Sequence, residues 1–148
     1  MNSPTDCTLC KSDLRPIIIE AGFWKLVLNW NQRFLGSCFW TLKRHEESIT
    51  RLSTVEWAEL HSLLIKTTTA MDKCFHPDHY NYVFLQNQDR HVHMHILPRF
   101  ATDRQDLEET FIDPDYPSHY AIPGRNHHLS QEKYTLIADA IAQAYPTD

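Results

Sequence analysis

The sequence predicts an α+β fold: one five-stranded antiparallel sheet with two helices. Three observations carry the expectation. Short runs rich in β-branched and aromatic residues alternate with turn residues, two stretches with helical periodicity open on serine caps, and only one helix falls between successive strands. The length of 148 residues suits a single domain, 1–148, with 100–148 as a C-terminal loop and helix extension.

Ile17-Ile18-Ile19 and Trp24 to Leu28 are the first two strands, with Ala21-Gly22 as the turn between them. After a break at Gly36, Cys38 to Leu42 forms the third. Ser53-Thr54-Val55-Glu56 is a Ser-x-x-Glu capping box, and Trp57, Leu60, Leu64 and Met71 follow at helical spacing. Thr67-Thr68-Thr69 weakens this helix without breaking it, and Pro77 ends it. Tyr80 to Gln86 is the fourth strand and Val92 to Leu97 the fifth, stopped by Pro98. Pro114, Pro117, Pro123 and Gly124 punctuate a loop reaching to about residue 128. Ser130 then caps a second helix with Tyr134, Ile137, Ile141 and Tyr145 on one face, closed by Pro146.

Composition narrows the function. Hydrophobic residues make up 42% and charged residues 22%, enough apolar material for a core. A net charge of −5 argues against a general nucleic-acid or anionic-membrane binder, and leaves room for a small anionic ligand held by a few local donors. No run of eighteen apolar residues occurs and the first residues form no leader, so a soluble, cytoplasmic protein is expected. Three glycines are too few for a phosphate-cradling loop of the G-x-G-x-x-G or Walker type.

Cys7-Thr8-Leu9-Cys10 has the spacing of half a tetrahedral zinc site, with a redox pair as the rival reading. His45 and His91 are the candidate third and fourth ligands, and a site filled by four protein ligands would be structural. Cys38 and Cys74 read as buried apolar residues.

Ten histidines are the more unusual feature, and three of them alternate in His91-Val92-His93-Met94-His95-Ile96-Leu97. On a strand, alternate side chains share a face roughly 6.6–7 Å apart, so the imidazoles line one face while Val92, Met94 and Ile96 enter the core. Such imidazoles can attack phosphorus, relay a proton or bind a metal, and a three-histidine metal centre stays open at this point. His61, His76, His79, His127 and His128 read as solvated or singly satisfied. Of Trp24, Trp30, Trp40 and Trp57, all read as core except Trp30, beside Asn29.

The His-φ-His-φ-His-φ-φ run followed by Pro98-Arg99 resembles the signature of the histidine triad (HIT) family of nucleotidyl hydrolases and transferases. The resemblance covers roughly residues 7–99. It includes Asn29, Gly36, Thr41-Leu42-Lys43-Arg44-His45 and the helix opened by Ser53, and the Cys pair resembles the family's zinc-carrying bacterial branch, with a likeness to diadenosine-polyphosphate hydrolases. It implies an enzyme acting at the α-phosphate of a dinucleoside polyphosphate or similar nucleotide. His93 is then the nucleophile, forming a nucleotidyl-histidine intermediate, and His95 contacts phosphate. Asn29 holds ribose, Asn87 and Gln88 meet phosphate oxygens, and Cys7, Cys10, His45 and His91 hold zinc. His95 stands where the sugar-nucleotide transferase branch has Gln, which favours hydrolysis, and a homodimer paired at strand edges is implied. Ser37 replaces the histidine that many members carry after Gly36, and the loop Asn87-Gln88-Asp89-Arg90 is shorter than the Gly-rich form. A metal-dependent enzyme and a non-catalytic nucleotide-binding module are the alternatives.

Overall fold

The computed structural model describes residues 6–11, 13, 14, 16–121 and 124–148. The expectations placed on the first five residues and on Pro123 lie outside these. β1 (Ile17–Glu20) and β2 (Trp24–Leu28) form the expected hairpin, closed where the Ala21 amide donates to the Trp24 carbonyl at 2.8 Å. β2 pairs along its whole length with β3 (Cys38–Leu42), from Trp24 opposite Leu42 to Leu28 opposite Cys38. The turn into β3 needs Gly36, whose φ is 85° and whose missing side chain leaves room for the Phe75 ring; an added Cβ would lie 2.8 Å from it. β4 (His79–Val83) and β5 (His93–Arg99) complete a five-stranded sheet in the order β1-β2-β3-β5-β4, every pair antiparallel.

Alternation gives the sheet two different faces. Trp24, Leu26, Leu28, Trp40, Met94 and Ile96 enter one core with Leu60, Leu63 and Met71 of α1 (Thr54–Phe75) and with Ile137 and Ile141 of α2 (Gln131–Ala144). Both buried indoles are satisfied: Trp24 Nε1 donates to the Glu56 carbonyl (3.0 Å) and Trp40 Nε1 to Thr67 Oγ1 (3.1 Å). The opposite face carries Phe39, Thr41, His93, His95 and Leu97, none of them covered by a helix.

Four details depart from the sequence reading. Trp57 is 40% exposed rather than core, because the buried stripe of α1 runs through Glu56, Leu60, Leu63, Thr67 and Ala70. β5 continues through Pro98 to Arg99 and does not stop at proline. β3 has ended at Cys38 opposite Ile96, so no neighbour on that side needs the missing N–H, while Tyr80 pairs with Pro98 on the other. β4 ends at Val83, short of Gln86, which has φ 52°. The stretch expected to be loop contains a small hairpin, β6 (Arg104–Asp106) and β7 (Glu109–Phe111), turned through Leu107 and Glu108 at φ 50° and 60°.

The C-terminal region is anchored to the sheet by a buried ion pair. The Arg99 guanidinium donates to both Asp113 carboxylate oxygens (2.6 and 3.0 Å), to Asn81 Oδ1 (2.9 Å) and to the Ser118 carbonyl (3.0 Å). This satisfies most donors of a desolvated cation and holds residues 113–120 over the helix-free face. Among the described residues, no helix is long and apolar enough to cross a membrane.

The expected capping box forms at α1: Ser53 Oγ accepts from the Glu56 amide and Glu56 accepts from the Ser53 amide. Arg44 also grips both carboxylate oxygens, at 2.6 and 3.0 Å. These bonds, Arg44 foremost, hold the Glu56 carboxyl at about 2, below its ordinary 4.5. A carboxylate held below its unfolded value contributes stability above about pH 4.5 and loses it as pH falls toward 2. Glu56→Gln should therefore cost roughly 1–3 kcal/mol at pH 7. In thermal melts across this range, the variant should lose less further stability between pH 4.5 and 2 than the wild type.

Candidate active site and metal centre

His91 is completely buried and precedes the first residue of β5. Its Nε2 lies 2.7 Å from the Leu42 carbonyl, which can only accept, so Nε2 carries the proton and Nδ1 a lone pair. That lone pair faces Cys7, Cys10 and His45. It sits 3.5 Å from Cys7 Sγ, 3.4 Å from Cys10 Sγ and 3.3 Å from His45 Nδ1. Cys10 Sγ is in turn 3.3 Å from His45 Nδ1.

These spacings suit a metal. Ligand atoms placed tetrahedrally 2.0–2.3 Å from one centre stand about 3.3–3.8 Å apart. Among the described residues this is the one group whose ligating atoms converge, all within 4.8 Å of one another. The donor chemistry agrees. Burial and the adjacent Cys7 sulfur push the Cys10 thiol up to about 11, a cost to the thiolate that a cation shared by the two sulfurs would offset. Burial also holds the His91 imidazole below its ordinary value, in the neutral form that ligates. His45 Nε2 is buried without a hydrogen-bond partner, with a Glu47 carboxylate oxygen 3.6 Å away. The site therefore fits a tetrahedral Cys2His2 zinc, and its carbonyl-backed imidazole is the usual second layer of such a centre.

His93 and His95 remain on the helix-free face, with ring centroids 5.0 Å apart and Phe39 beside both. His93 Nδ1 is 2.7 Å from the His91 carbonyl, so Nδ1 holds the proton and Nε2 an unshared pair. Burial and the neighbouring His93 push His95 down to about 4, against an opposing pull from Asp89. His95 is therefore neutral near pH 7, and a neutral imidazole offers one N–H to an anion. Of the three alternating imidazoles, His93 and His95 line the cleft, while His91 engages the cysteines and His45.

Both rings open into a cleft of about 640 Å³. Asn29, Trp30, Ser37, Asn87 and Gln88 line it as well, so the expected nucleotide-binding residues gather around the histidine pair. Asn29 is partly committed, its Oδ1 accepting from the Asn31 amide at 3.1 Å. Trp30 is 65% exposed, its ring stacked on His128 at 4.0 Å. Ser37 is buried and its Oγ donates to the Asn31 carbonyl. Two other histidines are held elsewhere. His127 packs on Phe111 and bonds Glu109, and the His76 carbonyl accepts from Arg104.

Sequence reasoning missed the wall contributed by the C-terminal region. Tyr120, Gly124 and Asn126 of that region line the cleft, facing Arg33 and Phe34 from the β2–β3 loop. Asn31 ties that wall down, donating to the Arg125 carbonyl and to Asn126 Oδ1 while accepting from the His127 amide. The available signal was Arg99 itself, a cation inside an apolar strand that needed a buried acid from elsewhere.

No family profile matches this chain, and no curated protein does. Solved structures do. A histidine triad protein from Sinorhizobium meliloti 1021 superposes with a TM-score of 0.74 at 18% identity, over 96% of this chain and 99% of that one. A zinc-bound histidine triad family protein from Mycobacterium smegmatis gives 0.63 at 20% identity, over 95% and 96%. A hypothetical histidine triad nucleotide-binding protein from Sulfolobus tokodaii gives 0.65 at 17%, over 86% and 81%. The chain has the fold of histidine triad proteins.

The low His95 value can be checked by NMR titration of the ring nitrogens. His95 should stay neutral as pH falls through 6 and take its proton near pH 4. Asp89→Asn, which removes the opposing charge, should move that midpoint lower still.

Proposed function

We propose that this chain is a nucleotide hydrolase or nucleotidyl transferase, acting at the α-phosphate of a dinucleoside polyphosphate or similar nucleotide through a covalent histidine intermediate. One observation carries the reading: the His91 carbonyl fixes the His93 proton on Nδ1 and leaves Nε2 free to attack in an open cleft. Nε2 forms a bond to the α-phosphorus as the bond to the leaving-group oxygen breaks and that oxygen departs with the electron pair. Water then attacks the same phosphorus, loses its proton, and releases His93 and the nucleoside monophosphate. His95, neutral and beside His93, donates to a phosphate oxygen, and Asn87 and Gln88 meet charge on the non-bridging oxygens. Asn29 orients the ribose. Ser37 is bonded to the Asn31 carbonyl and supplies no relay to the leaving group, which favours polyphosphates over amine leaving groups that need a general acid.

A three-histidine metal centre is disfavoured because His91 Nδ1 faces Cys7, Cys10 and His45. Those four residues would hold zinc in a structural role, fastening the N-terminal segment, whose Leu9 and Leu14 line the cleft, to the sheet. A homodimer through the open β4 edge and α1 is supported by the large apolar side chains that α1 leaves exposed, Trp57 and Ile65.

His93→Ala should lower kcat at least about 10³-fold, with His95→Ala costing less and nucleotide binding surviving in both. A brief quench with α-phosphate-labelled substrate should trap acid-labile label on the wild type and none on His93→Ala. Near wild-type turnover by His93→Ala would end the reading. For the metal, elemental analysis should find about one zinc per chain, lost together with stability in the Cys7→Ser, Cys10→Ser double variant. Full zinc in that variant would rule the ligand set out.

A further inference from the structure

Beyond His95, the helix-free face of the sheet continues along β5 and onto the edge strand β4. Val83 stands opposite His95, Asn81 opposite Leu97 and His79 opposite Arg99, so these side chains share a face with the histidine pair. The segment 113–120, held down by Arg99 and Asp113, roofs this part of the face and encloses a second pocket of about 420 Å³. Val83, Leu85 and Tyr120 line both this pocket and the main cleft, so the two hollows adjoin across a single apolar ridge.

The chemistry of this pocket differs from that of the cleft. Its one arginine is consumed, the guanidinium donating to Asp113, Asn81 and the Ser118 carbonyl, which leaves little attraction for a free phosphate. Its walls are aromatic instead. The His119 and Tyr120 rings stack at 4.7 Å with 18° between their planes, and Tyr116 stands in the same lining. His119 is exposed and offers its outer face. Asn81 has its Oδ1 engaged by Arg99, and among the described residues its Nδ2 has no protein partner, leaving two N–H donors for a ring nitrogen or carbonyl. A planar, uncharged heterocycle suits stacking surfaces with one amide donor; a phosphate does not.

We propose that this second pocket receives the nucleobase of the leaving nucleotide. The ridge of Val83, Leu85 and Tyr120 then separates the two halves of a dinucleoside polyphosphate, with the polyphosphate chain crossing it beside His95. This rests on the function proposed above and adds to it a reason for preferring substrates with a base at both ends.

Binding separates the two ideas, because it needs no turnover. In the His93→Ala protein, a non-hydrolysable methylene-bridged dinucleoside tetraphosphate should bind at least about tenfold more tightly than the mononucleotide with the same base, the gain expected from one stacked base. His119→Ala should bring that ratio below about threefold, as should Tyr116→Leu, which keeps bulk but removes the ring. Equal affinity for the two ligands in the parent, or a ratio that survives both changes, would overturn the second-base pocket even if labelling upholds His93 as nucleophile. Absence of label on a wild-type protein that binds the dinucleotide more tightly would instead remove the catalytic reading and leave the pocket standing.

Discussion

Two carbonyl–imidazole hydrogen bonds organise the functional face, and both run through His91. Its ring donates to the Leu42 carbonyl and so presents Nδ1 to the cysteines and His45. Its own carbonyl accepts from His93 Nδ1 and so frees Nε2 of the next histidine. Neither bond is strong, since a single net hydrogen bond contributes about 1 kcal/mol. Their importance is directional: a neutral imidazole has one donor and one acceptor, and assigning the donor to a backbone carbonyl decides what the acceptor can do. One buried residue thereby aims its own imidazole lone pair at the cysteines with its ring, and the lone pair of His93 into the cleft with its backbone.

The sheet around this pair is asymmetric for the same economical reason. Core packing takes every second residue of β2, β3 and β5 toward the helices, which leaves the alternate positions free to carry polar chemistry. Phe39 and Leu97 put apolar surface beside the histidines on that second face, while the segment stapled by Arg99 and Asp113 supplies walls that no helix provides. Burial keeps His95 neutral near pH 7, so beside His93 it offers a single N–H.

Much of this was legible in the sequence because it is local. The period-two runs, the Ser53–Glu56 capping box and the Cys-x-x-Cys spacing each encode their geometry within a few residues, and all of them formed. What stayed hidden depends on partners far along the chain. Pro98 reads as a strand terminator until one knows that β3 has already ended on that side. Trp57 reads as core until the buried stripe of the helix is fixed by what it packs against. The hairpin of β6 and β7 turns through Leu107 and Glu108, residues with no preference for the left-handed backbone they adopt, so no turn signal marks it. The meeting of His91 with the cysteines is likewise invisible to alternation alone, since Cys7 lies 84 positions away.

Cys7 and the ring of His91 meet across 84 positions of sequence. Synthesis on a ribosome adds about 5–20 residues per second, so roughly 4–17 s separate the emergence of the thiols from that of the imidazole they need. Throughout that interval the two sulfurs are three positions apart on a nascent chain with nothing to cover them. The reducing power of the compartment in which the chain is made therefore decides whether they reach His91 as thiols or as a cross-linked pair. The order of residues along the message thus exposes this corner of the protein to its redox surroundings before His91 can complete the cluster.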